Sequence, residues 1–211
     1  AYIRNLMGER WDFAPYIAAT QGFRFDAFTD DELELAKSRM ETALDDLNLK
    51  ADAQLLKNLD GLDTQLPEAD VADFYQDVLK RGLESLSPII GKTVDFKVDV
   101  SFTEVDAYWA AWVDGNRDGF RLRFNRTHMK KHYEGHARVL ALHEMLGHLT
   151  RCRLMMDAVD AGILPAPFGL TTVHSTEQFQ EEGLAQTLPL FLDNEDTRNP
   201  LVQAHTLQGI Y

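Results

Sequence analysis

An α+β fold is predicted for this chain of 211 residues, because three sequence styles follow one another in order. Residues 1–88 carry apolar side chains at helical spacing. Val94 to Phe102 alternates apolar and polar side chains over nine positions, the mark of a half-buried strand. Met129 to Val159 is again helical and so oily that little of its surface is left for water.

Each element has a local cause. Thr29-Asp30-Asp31-Glu32 is a capping box, and Leu33, Leu35, Met40, Leu44 and Leu47 follow it at roughly helical spacing. A second helix is expected after Pro67, turning Val71, Phe74, Tyr75, Val78, Leu79 and Leu83 inward. Tyr108 to Val113 and Phe120 to Phe124 bracket the turn-rich Asp114-Gly115-Asn116-Arg117-Asp118-Gly119, which predicts a hairpin and a small antiparallel sheet. The segment Gly119 to Asn125 is expected at the sheet edge, where an extended peptide could add a strand. A loop through Pro165, Pro167 and Gly169 leads to a last helix capped by Ser175-Thr176-Glu177-Gln178. Leu201 to Tyr211 has an apolar flavour that points to a docked tail or to further structure downstream. The chain divides into an N-terminal helical region, 1–90, and a second region, 91–211, within one compact unit.

Composition narrows the function. A hydrophobic share of 45% in a chain of this size supports a core without disulfides. The single Cys152 cannot form an internal one and fits a reducing compartment, so a cytoplasmic location is expected. The formal net charge of -13 argues against nucleic acid, whose binding rests on Lys and Arg. No stretch approaches the ~18 apolar residues of a membrane span. The chain starts at Ala1 without an initiator Met, as a processed or trimmed product would.

The chemistry is concentrated in His143-Glu144-Met145-Leu146-Gly147-His148. Imidazole and carboxylate groups are costly to bury unless paired or bound to a metal, and here three fall within six residues of an oily helix. Residues four apart lie about 40° apart around an α-helix, whereas residues five apart lie about 140° apart. A regular helix would send His148 away from His143; one extra residue in the turn, a π-bulge at Gly147, would bring both to one metal. A third ligand is commonly a carboxylate, and the Glu181-Glu182 pair offers two. Gly183 after that pair would let its helix approach the first closely. His136, seven residues before His143, is expected near the same face in a supporting role. His128, His132 and His205 are expected on the surface, and Cys152 as a small core side chain.

His-Glu-x-x-x-His followed by Leu149 and Arg151, then Glu181-Glu182-Gly183-Leu184-Ala185 about thirty residues later, resembles the microtubule-associated tyrosine carboxypeptidases. It also resembles their bacterial relatives named for a Gln-Glu-Gly-Leu-Ala motif. The resemblance spans about residues 120–190. It implies a zincin-like catalytic region with zinc on His143, His148 and Glu182, Glu144 as catalytic base, and a peptide or protein substrate. Glu182 takes precedence over Glu181 because the bacterial motif keeps only the glutamate before Gly. Leu146-Gly147 stands where relatives often have Gly-Thr, so cleavage of tubulin is not implied. His174 is the candidate donor to the oxyanion. Arg151 either binds a substrate carboxylate or pairs with an acidic neighbour. The competing readings are a zinc hydrolase of a non-peptide amide and a silent module that keeps zinc for stability, although a silent site has no need of Glu144.

Overall fold

The computed structural model describes residues 2–21, 29–45, 47–50, 54–170 and 178–210. Helices α1 (Tyr2–Leu6), α2 (Phe13–Gln21), α3 (Asp30–Asp45) and α4 (Leu55–Leu62) come first. The capping box at Thr29 forms as the sequence requires: its amide reaches Glu32 Oε2 at 2.8 Å, and the Glu32 amide returns to Thr29 Oγ1 at 3.3 Å. Leu44 is buried with Leu59 and Ala204, whereas Leu33 and Leu35 stand in solvent, so only the later part of the apolar series on α3 faces a core.

Strand β1 (Gln65–Leu66) leads into α5 (Glu68–Ile90), which buries Val71, Tyr75, Val78 and Leu79. Next come β2 (Val98–Thr103), β3 (Ala111–Asn116), β4 (Gly119–Asn125) and β5 (His132–Tyr133). β2, β4 and β3 form one sheet in that order, and β1 pairs with β5 in a small second ladder. The larger sheet is mixed rather than antiparallel. β3 and β4 make the expected hairpin, with strands running on to Asn116 and Gly119, but β2 lies parallel to β4, Val98 opposite Phe120. Short of the predicted strand, residues 94–96 stay out of the ladder and Lys97 joins it only through its carbonyl, although Val94 is buried and Phe96 meets Phe120 edge-on at 5.3 Å.

This topology puts β4 in the centre and forces the chain to cross the end of β4 on its way from β2 to β3. Buried Asn125 holds the crossing. Its Nδ2 donates to Val105 O at 3.0 Å and Trp109 O at 3.2 Å, and its Oδ1 accepts from the Val105 amide at 3.2 Å. A short polar side chain thereby satisfies buried backbone that no ladder can reach.

After β5 the chain runs through α6 (Glu134–Leu140), a π-helical segment (Ala141–Leu149) and α7 (Thr150–Asp160) without a break. A 3-10 turn (Ala166–Gly169), α8 (Gln178–Thr187), a second 3-10 turn (Leu188–Phe191) and α9 (Pro200–Ile210) follow. The main core spans the boundary at residue 90, joining Val71, Tyr75 and Val78 of α5 to Phe124, Leu142, Met145 and Leu146. α9 packs on α6 and α3. Buried Asp196 takes a two-pronged bond from Arg81 of α5, 2.8 and 2.9 Å, and a further one from Arg138 of α6. Two guanidinium groups offset the cost of burying that carboxylate.

Two histidines expected on the surface are inside. His132 packs among Tyr75, Phe102 and Phe124, and His205 lies between Asp63 and His136. Burial and nearby His136 push His132 down to about 4, opposed by Glu68. Unfolded, it titrates near 6.5, so between those values the unfolded chain binds the extra proton. Its contribution to stability is complete above about pH 6.5 and is lost as pH falls toward 4. Replacing it by an aromatic side chain that cannot be protonated, His132→Phe, should lower the acid-unfolding midpoint followed by circular dichroism.

Candidate metal centre

The π-helical segment carries the chemistry. Its i→i+5 bonding places residues five apart on one side, which α-helical bonding would not do. The expected single bulge is thus a longer stretch, Ala141–Leu149. Ala141, Leu142, Met145, Leu146, Gly147 and Leu149 are buried, whereas His143, Glu144 and His148 are only partly so and face an open space that Leu149 also borders. The two imidazoles stand edge to face, centroids 4.8 Å apart at 86°, with their Nε2 atoms 3.3 Å apart.

α8 lies against this segment at Gly147. A Cβ there would stand 2.6 Å from both Cα and Cβ of Ala185, a distance no side chain tolerates. The close approach expected of Gly183 belongs to Gly147 instead; Gly183 is exposed, with nothing within 4 Å of where its Cβ would be.

Glu181 and Glu182 are consecutive on α8 and so point about 100° apart. Glu181 is buried and bound to Arg151 of α7. Glu182 turns to the imidazoles, its Oε2 3.3 Å from His143 Nε2 and 3.6 Å from His148 Nε2. Tetrahedral zinc with bonds of about 2.0–2.1 Å keeps its ligand atoms about 3.3–3.4 Å apart. The observed separations of 3.3, 3.3 and 3.6 Å fit that geometry, with one oxygen and two nitrogens as donors. Hydrogen bonds from His143 and His148 hold the Glu182 carboxyl far below the usual carboxylate range. Burial opposes charge on His148, yet Glu182, with Glu144 and Glu181, raises its proton affinity overall. Burial raises Glu144, and the two imidazoles only partly counter it.

The group opens onto a cavity of about 460 Å³ that Glu144 also lines. One wall is β3, which is an edge strand; β4, expected at the edge, is central. The Phe120 amide donates to Lys97 and the Asn125 amide to Ala110, both at 2.9 Å, so alternate residues of β4 serve opposite neighbours. On β3, Ala111, Val113 and Gly115 therefore turn their backbone groups to the open side, along the cavity.

Other sequence candidates lie elsewhere. His136 sits beside His205 and Asp63 rather than behind His143. Seven residues share a face only on an unbroken α-helix, and the π turns that align His148 change the phase relative to His136. His174 and the capping residues Ser175, Thr176 and Glu177 lie outside the described residues. Cys152 is half-buried at the cavity wall. Trp109 and Trp112, read from sequence only as strand residues, also line the cavity. No family model, no curated protein and no solved structure matches the chain.

Overpacking a tight helix contact costs about 1–3 kcal/mol. Gly147→Ala should lower the melting temperature and weaken zinc uptake. Gly183→Ala, with open space and better helix propensity, should lower neither. Arg151→Ala leaves Glu181 buried and alone, so zinc affinity should fall in the absence of any substrate. A purely substrate-binding arginine would leave that affinity unchanged and alter KM.

Proposed function

We propose that the chain is a zinc-dependent peptidase, with His143, His148 and Glu182 holding the metal and Glu144 as general base. The observation that carries this reading is the spacing of the three donor atoms at the mouth of a cavity that Glu144 shares. A zincin-like unit is the reading of the fold that accompanies it: a ligand-bearing helix lies beside the edge strand of a small sheet. Bound there, zinc supplies Lewis acidity and lowers the pKa of water.

The chain's own residues do the rest. Glu144, desolvated and with raised proton affinity, accepts the proton of the attacking water and delivers it to the leaving amine. An extended peptide pairs with the open edge at Ala111, Val113 and Gly115, which sets its register along the cavity. His174, which precedes α8 in sequence, is the proposed oxyanion donor. Arg151 supports the centre by holding Glu181, leaving Glu182 to face the imidazoles.

Elemental mass spectrometry on purified protein tests the centre. Near-stoichiometric zinc is expected in wild type and loss of it in His148→Ala; wild type that takes up no zinc when supplied would remove the peptidase reading. Glu144→Gln should keep the metal and lose about 10²–10⁴-fold in peptide hydrolysis, measured on the same preparations. A silent zinc site would show equal, background cleavage in both.

A further inference from the structure

The cavity beside the donor group has a character of its own. Its wall includes Trp109, Trp112, Val113 and Met156, and its rim carries Tyr108 and Leu170, which are 81% and 77% exposed. Apolar groups of that size, left in water at one opening, mark a surface that something apolar covers.

Charge narrows the occupant. No Lys or Arg lines the cavity among the described residues, while Asp114, Glu144, Glu181 and Glu182 do. The nearby cations are engaged: Arg123 bonds Asp114 at 2.5 Å with its guanidinium over the Trp109 ring, and Arg151 binds Glu181. Recognition of a free carboxylate relies on an available guanidinium or ammonium, and the described wall offers none.

We propose that this cavity takes an aromatic or large aliphatic side chain next to the scissile bond of an internal peptide segment. The enzyme then cuts within peptides and does not trim a free C-terminus. This rests on the peptidase reading above and departs from the carboxypeptidases that the sequence motifs resemble.

The test uses full-length, zinc-loaded Glu144→Gln protein, with binding followed by tryptophan fluorescence. The probes are acetyl-Ala-Ala-Phe-Ala-Ala-amide, its counterpart with Asp for Phe, and acetyl-Ala-Ala-Phe as amide and as free acid. Burying the ring should favour the Phe peptide over the Asp peptide by about 10- to 100-fold, and the tripeptide amide should bind more tightly than the acid. Trp112→Ala should erase most of the Phe preference while leaving zinc content unchanged. In wild type, kcat/KM should rank the two blocked pentapeptides in the same order. Zinc-loaded protein that binds Phe and Asp peptides equally, or prefers the free acid, overturns the inference while leaving the peptidase standing. Protein that holds no zinc removes the peptidase reading, and this one with it.

Discussion

The i→i+5 turn between His143 and His148 is the constraint on which the rest of the molecule depends. π-helical backbone is rare and is retained where its surroundings fix it. Here the surroundings are α5 on one side, where Leu146 presses against Gly82, and α8 on the other, where Gly147 touches Ala185. A helix gripped on both faces cannot relax to regular winding without moving its neighbours. The same grip brings α8 near enough for Glu182 to reach both imidazoles.

Around that centre the buried acids fall into two groups. Asp196 and Glu181 each meet arginine, Asp196 two of them, and such pairs lock elements together. Glu144 has no such partner: burial lifts its proton affinity, and only the imidazoles act against it. A carboxyl whose proton affinity is raised by burial beside a cavity has the character asked of a general base. The paired acids tie elements together, and the unpaired one is the acid proposed as general base.

Much of this was legible in local sequence. The Thr29 box, the inward face of α5, the β3–β4 hairpin and the need for an irregular turn at Gly147 all follow from side-chain chemistry within a few residues. Long-range matters were not. The parallel pairing of β2 with β4, the central place of β4 and the clamp at Asn125 depend on which segments meet. His132 and His205 looked solvent-facing because their burial comes from residues such as Tyr75 and Asp63, distant in sequence. Trp109 and Trp112 gave no signal as a cavity wall, since an aromatic in a strand reads first as packing.

By itself, the sequence determined that two histidines sit five residues apart on an oily helix with a glutamate beside the first, and that a second acidic motif follows. It also determined, through spacing alone, that an ordinary helix could not bring those histidines together. The tertiary structure decided which glutamate faces them, because the 100° between consecutive helical residues becomes a choice only once Arg151 claims one of the pair. It likewise decided that Gly147, not Gly183, sets the distance between the two helices. Propensity and periodicity are properties of neighbours in the chain, whereas ligand geometry is a property of neighbours in space.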